Sequence, residues 1–390
     1  MQSGVFKETL KTAAIVALSG VVTLAVFEAL LWMFHPLPDP LEDEKIKAPP
    51  IRYIPHSLAP NMSLTLTPEE GLPGVTEQSL FTTNEFGFRG PPLAVPKPER
   101  EFRVFLIGGS TMECMAVTDE LSPGPLLQAR FSDDLPDRTV RVYNGGRSGD
   151  ISADHVALLA HRIAQLEPDL VIAFAGINDL RAGILERDYL HLQGWEASPL
   201  PAGRLVRMLA TEFQLPRLMY AVKKEILGQT DQQTLEEIPL TSNYRDKVAV
   251  KKGKPVSTVM PRTDLPAYRR NVASLVGIAR AQGAEIMLIT QATTWNSPVD
   301  DRAKNWHWLD FVGDVVYPEA FMDAALEQYN DQIRTLGAEL KVPVLDLAKL
   351  IPKSLDYFYD DVHFNPNGVQ KFVELIDQFV GDNKPLLQPR

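Results

Sequence analysis

Cysteine is almost missing from this chain. Cys114 is the one cysteine in 390 residues, so no intramolecular disulfide can form, and the redox compartment stays open. Positive charge is thin and scattered. Lys and Arg number 39 against 50 Asp and Glu, a net charge of −11, and no basic block occurs. A nucleic-acid partner is excluded on that ground, because phosphates need a basic face. No spacing of His, Cys or carboxylates suits zinc or calcium; His155 and His161 lie six apart, off the i, i+4 register that aims two imidazoles at one ion. GINDLRAG, at 176–183, lacks the glycine-rich turn and lysine of a phosphate loop. Neither metal nor cofactor is expected. What remains is an ordinary globular composition, 45% hydrophobic and 23% charged, long enough for one large α/β domain with appendages or for two small domains.

Residues 12–34 read TAAIVALSGVVTLAVFEALLWMF. As a helix this run spans ~34 Å, against a hydrocarbon core of ~30 Å. Lys7 and Lys11 precede it, and Asp39, Glu42, Asp43 and Glu44 follow. The positive-inside rule predicts a cytoplasmic 1–11, a transmembrane anchor at 12–34 and an extracytoplasmic remainder, a single-pass membrane protein. The run is long for a signal peptide and no small-x-small cleavage site follows it. Glu28, its one charge, either snorkels to the interface or meets a partner helix.

Prolines at 36, 38, 40, 49, 50, 55, 60, 68 and 73 forbid long helices over 35–100, which reads as a stalk and approach segment. At its end TTNEFGFRGPP (82–92) places Phe86 and Phe88 to cover an edge of the core, with Arg89 pairing an acid.

From 101 to 385 strand and helix alternate. Apolar runs at RVFLIGGS (103–110), RVYN (141–144), DLVIAFAG (169–176), EIMLITQA (285–292) and VPVLDL (342–347) predict strands. Helical patterns cover about 153–165, 267–282, 319–340 and 368–379. That alternation predicts a parallel sheet with helices on both faces, whose ligands bind beyond the carboxyl ends of the strands. The chemically loaded residues stand at those ends: Ser110 after a glycine pair, Gly149 in NGGRSGD (144–150), Asn178 in GIND (176–179) and His363 in DDVH (360–363). Each element is weak singly. In this order they supply the parts that acyl transfer requires. Serine needs a neighbour to take its proton, and His363 suits that task near neutrality. Asp360, three residues earlier, can hold the other ring nitrogen; Asp361 is the alternative acid. Cys114 reads as a small apolar filler.

These four blocks resemble those of the SGNH (GDSL-like) hydrolase superfamily over about 102–379, with Gly-Gly-Ser where the name-giving motif has Gly-Asp-Ser. The resemblance implies a flavodoxin-like sheet and a shallow site that hydrolyses or transfers small acyl groups. It also implies Ser110 as nucleophile, an Asp360–His363 pair, and an oxyanion hole from the N–H groups of Ser110 and Gly149 with the amide of Asn178. Two stretches exceed the minimal fold, at about 181–262 and 293–318. The first reads as a lid, a partner-docking surface or a partly ordered insertion; the second carries Trp295, Trp306, Trp308 and Phe311, suited to stacking on sugars or to burying the loop. The leading expectation is a membrane-anchored esterase or deacylase acting on an acylated small molecule or glycan. An O-acyltransferase with the same triad, and a non-enzymatic subunit docking a membrane protein through Glu28 or 181–262, are the alternatives.

Overall fold

The computed structural model describes residues 2–34, 58–185, 213–218 and 244–388, with side chains in the first of these given at 11, 15, 16 and 18–34. The chain forms two compact units, Met1–Lys45 with Glu196–Leu235, and Ile46–Trp195 with Glu236–Arg390.

In the first unit, α1 spans Gln2–Phe34. A short helix follows at 214–218. The Glu28 carboxylate accepts the backbone N–H of Gln214 and, at 2.6 Å, that of Leu215. The first N–H groups of a helix have no partner inside it, and this carboxylate supplies one. Among the described residues no helix is long and apolar enough to cross a membrane. Within the expected 12–34 anchor, the side chains at 12–14 and 17 lie outside those described.

The second unit is built on five parallel strands: β3 (Glu101–Gly108), β4 (Thr139–Asn144), β5 (Leu170–Phe174), β6 (Glu285–Ile289) and β9 (Val344–Leu345), in the order β4-β3-β5-β6-β9. This is the flavodoxin-like order, with its crevice where the chain turns from β3 outward to either side. Every residue of β3 is buried, and alternate side chains enter opposite faces. Phe105 and Ile107 join Tyr143, Val171, Tyr268, Val272 and Leu326 on one side. Val104 and Leu106 join Val142, Ile172, Leu127, Phe131, Phe372 and Ile376 on the other.

The helices are α2 (Ser110–Glu113), α3 (Pro123–Asp134), α4 (Ser152–His161), α5 (Ile177–Ile184), α6 (Tyr244–Val250), α7 (Leu265–Ala281), α8 (Glu319–Leu340), α9 (Leu347–Leu350) and α10 (Pro366–Asp382). Helix α3 has no counterpart in the expectations above. It starts on a proline, which is preorganised for a first turn, and buries Leu127 and Phe131 at i, i+4.

The stalk expectation needs correction. Residues 58–100 fold into the second unit: β1 (Ser63–Leu66) and β2 (Ser79–Thr82) pair antiparallel, and Leu72, Val75, Phe88 and Leu93 enter its main core. The prolines keep this stretch extended without detaching it; 35–57 lie outside the described residues. Phe88 packs edge-on against Phe105 at 5.3 Å, and Arg89 does pair an acid, Asp119, at 2.6 Å. Of the two insertions, 186–212 and 219–243 are outside the described residues, while α6 and a hairpin of β7 (Phe311–Val312) and β8 (Val315–Val316) are among the described parts.

Candidate active site

Strand β3 ends at Gly108, where an added Cβ would lie 2.6 Å from the Met112 side chain and 2.8 Å from the Phe174 carbonyl oxygen. That close approach lets the chain turn at once into α2, with Ser110 as its first residue. Ser110 Oγ lies 2.7 Å from His363 Nε2. On the far side of the ring, His363 Nδ1 lies 2.7 Å from Asp360 Oδ2. The carboxylate only accepts, so Nδ1 carries the proton and Nε2 presents a lone pair to the serine. Asp360 is completely buried. Burial raises its pKa, but the His363 charge and hydrogen bonds from His363, Trp308 and the Val362 N–H outweigh that and hold it below the usual carboxylate range.

Asn178 sits in the first turn of α5 and donates from Nδ2 to the Asp150 carbonyl at 2.9 Å. Gly149 has φ +82°, a left-handed backbone that glycine adopts without strain. Its neighbour Ser148 is tied down by Glu113, three residues past Ser110. The Glu113 carboxylate accepts the Ser148 N–H at 3.0 Å and the Ser148 hydroxyl. Burial pushes the Glu113 pKa up, against the Ser148 hydrogen bonds and the nearby Arg147 charge. Arg147 Nε donates to Asp150 at 2.6 Å, yet burial still pushes the Asp150 carboxyl up to about 8. The Asp179 carboxylate, one residue past Asn178, accepts the Ser152 N–H at 3.0 Å, fastening α5 to the start of α4. The second and third sequence blocks are thereby locked to one another and to the turn that carries Ser110.

The 293–318 segment has a role the sequence did not reveal. Trp308 Nε1 donates to Asp360 at 2.9 Å, and its ring lies parallel to His363 within 8°. Tyr359 is parallel to the imidazole within 9°, centroids 5.5 Å apart. Asp361 accepts Trp295 Nε1 at 2.6 Å and the backbone N–H of Trp308 at 2.7 Å. Burial raises Asp361 to about 6, with the neighbouring Asp360 charge adding to it. Two adjacent carboxyls thus divide the work: Asp360 faces the imidazole, and Asp361 pins the loop that carries Trp308. Helix α6 roofs this layer, with Lys247 Nζ 4.5 Å from the Trp308 ring and 4.3 Å from Tyr244.

Trp295, Trp308 and Phe311 are buried, so of the two expected uses of this loop it is burial, not sugar stacking, that they serve. Cys114 is also buried, its thiol pushed up to about 12 by burial. His155 packs inside, lowered to about 3 by burial, and His161 is exposed. Among the described residues no group of three His, Cys, Asp or Glu side chains is placed to hold a metal ion.

Residues 106–371 match the GDSL-like lipase/acylhydrolase family. Similar solved structures include TesA (15% identity, 73% of this chain and 99% of that one, TM-score 0.42). An acetylxylan esterase from Geobacillus stearothermophilus is 14% identical (72% and 94%, TM-score 0.40). A GDSL-like lipase from Bacteroides thetaiotaomicron is likewise 14% identical (75% and 93%, TM-score 0.39). No curated protein matches the chain. The matched span runs from the third-last residue of β3 into α10; the chain belongs to the GDSL-like lipase/acylhydrolase family and is a serine ester hydrolase.

Proposed function

We propose that this enzyme removes small acyl groups from O-acylated glycans outside the cytoplasm, tethered to a membrane by residues 12–34. The observation that carries the chemistry is the unbroken line from Ser110 Oγ through His363 to Asp360. His363 Nε2 takes the hydroxyl proton as Ser110 Oγ bonds to the ester carbonyl carbon, and the carbonyl π pair moves onto oxygen. That oxyanion receives the N–H groups of Ser110 and Gly149 and the amide of Asn178; one such donor is worth ~10²–10³ in turnover. The tetrahedral adduct collapses, the alkoxide leaves with the proton from His363, and the acyl group stays on Ser110. Water then repeats the sequence, with His363 as base, and frees the acid. Asp360 keeps the imidazole in the productive tautomer and stabilises its charged form.

Support for the tether comes from α1, where Leu18, Val22, Leu24, Trp32 and Phe34 are all exposed, an arrangement that lipid would cover. A membrane-protein partner at Glu28 would have to displace the Gln214 and Leu215 N–H groups from that carboxylate. An esterase tethered outside the cytoplasm meets the acylated glycans of the envelope, which makes them the substrate to test first.

The test has three arms. A fluorophosphonate should label the Ser110 peptide, and Ser110→Ala should abolish both labelling and p-nitrophenyl acetate hydrolysis while the protein stays folded. Acetylated polysaccharide should release acetate. The protein should stay with membranes through a salt wash and leave them in detergent. Full activity in Ser110→Ala sinks the mechanism, no acetate release sinks the glycan, and loss on salt washing sinks the tether.

A further inference from the structure

The loop that brings Trp308 to Asp360 also carries a second histidine array. The Thr294 hydroxyl lies 3.0 Å from the Asp360 carbonyl, 3.3 Å from that of Asp361 and 2.9 Å from His307 Nε2. His307 Nδ1 lies 3.0 Å from Glu319 Oε1, on the first residue of α8. Thr294, His307, Asp360 and Asp361 are all buried. Counting protons gives the state of the ring. A carboxylate only accepts, so Nδ1 donates to Glu319. The threonine has one proton and two backbone carbonyls within its reach. With that proton on the carbonyls its oxygen faces Nε2 as an acceptor, so Nε2 donates as well. A histidine that donates from both nitrogens is an imidazolium.

We propose that His307 is a positioning residue for the triad's acid: as an imidazolium it holds the Thr294 hydroxyl on the Asp360 and Asp361 carbonyls and so fixes the loop that carries Asp360 and His363. The inference rests on the reading of Asp360 as that acid. The two adjacent aspartates then have one histidine each. Asp360 binds His363, while the His307 charge draws the Asp361 pKa down against burial. Carboxylates face His307 from three elements: Glu319 of α8, Asp361 of the DDVH loop, and Asp310 just before β7. Lys251 is the nearby cation, paired with Asp310 at 2.9 Å and acting also on Glu319. Burial opposes a charge on His307, but the Glu319 hydrogen bond and these carboxylates outweigh it and raise its pKa above the usual histidine range. The charge is therefore present below ~6.5, the unfolded value, and is lost as pH rises through the higher folded one. On that loss Nδ1 keeps its proton for Glu319. Nε2 becomes an acceptor and draws the threonine proton away from the two carbonyls.

The experiment sets the pH dependence of p-nitrophenyl acetate turnover, from pH 6 to pH 10, beside nitrogen-15 NMR of the histidine-labelled protein. His307 should show two protonated ring nitrogens at pH 6, and kcat should fall about fivefold as one of them is lost, the worth of one hydrogen bond. Glu319 is partly exposed, so Glu319→Gln should fold. It removes the carboxylate that holds Nδ1, and the NMR titration and the fall in kcat should move down together by ~1 pH unit. Thr294→Val cuts the link, so its kcat should start about fivefold lower and ignore the His307 titration. A neutral His307 at pH 6 overturns the inference. So does a kcat profile that Glu319→Gln leaves in place, or one that keeps its alkaline fall in Thr294→Val. Full activity in Asp360→Asn, with His307 still titrating as described, overturns instead the reading of the acid on which the inference rests.

Discussion

Trp308 Nε1 donates to Asp360 Oδ2 at 2.9 Å while the same carboxylate oxygen holds His363 Nδ1 at 2.7 Å. One indole therefore fixes the acid that fixes the base. A buried carboxylate needs donors on both oxygens, and the backbone N–H groups of Val362 and His363 serve the other one. Trp308→Phe keeps the ring against His363 and removes only the donor. The expected outcome is a loss of about tenfold in kcat, in keeping with one hydrogen bond to a charged group, ~1.5 kcal/mol or more, with KM unchanged. Steady-state kinetics checks this; an unaltered kcat would remove Trp308 from the triad's support.

The two adjacent aspartates should respond differently. Asp360→Asn leaves the imidazole in the wrong tautomer, a change that costs ~10⁴ in serine proteases, and should depress kcat by ~10³ or more with modest change in stability. Asp361→Asn gives the N–H groups of Trp295, Trp308 and Leu309 a half-amide in place of a carboxylate. Its cost should appear as a lowered unfolding midpoint, with kcat of the folded protein reduced less than tenfold. Circular dichroism melts and active-site titration separate the two. Equal kcat losses would mean that the acid has been misassigned.

The site was legible because its chemistry is carried by residues at strand ends. The unbroken apolar run of β3 marks a buried strand, and the glycine pair after it marks the turn that presents Ser110. DDVH keeps acid and base three residues apart, so that a local loop alone brings Asp360 to His363. What stayed hidden depends on long-range packing. Trp308 reaches Asp360 across 52 residues, and nothing in the spacing of four aromatics reveals which indole turns inward. The 58–100 region was misread because its strands are four residues long and its prolines signal only the lack of helix, not whether the extended chain is packed. Helix α3 was missed for a related reason: PGPLLQARFSDD opens on breakers, and its burial rests on Leu127 and Phe131 alone at the centre.

Arg89 is the clearest gain from that misread region. It donates to the carbonyls of Glu113 at 2.9 Å and Cys114 at 3.0 Å, and to Asp119 at 2.6 Å. It thereby clamps the end of the helix that Ser110 begins. Arg89→Ala leaves the Glu113 and Cys114 carbonyls without this donor, while the partly exposed Asp119 keeps access to water; losing hydrogen bonds from a charged donor costs ~1.5–3 kcal/mol. Urea unfolding should show the loss, with turnover falling because the nucleophile turn loosens; a midpoint unchanged within error would mean that the clamp is dispensable.

Asp150 titrates at about 8 in the folded protein against ~3.9 for an unfolded aspartate. A group whose folded pKa is raised contributes stability below the unfolded value and loses that contribution as pH rises through the folded one. Between about pH 4 and pH 8 the native state therefore holds a proton at Asp150 that the unfolded chain has released, and unfolding free energy falls by up to ~1.4 kcal/mol per pH unit from this residue. Asp150→Asn has no proton to hold, so its stability should lack that component, and the gap between wild type and variant should shift steadily in the variant's favour from pH 5 to pH 8. Because the Asp150 carbonyl rather than its carboxyl receives Asn178, turnover of the variant at pH 7 should stay within about tenfold of the wild type. Denaturant melts at four pH values measure the slope. Parallel curves for the two proteins would show that Asp150 is ionised throughout, its charge matched by Arg147.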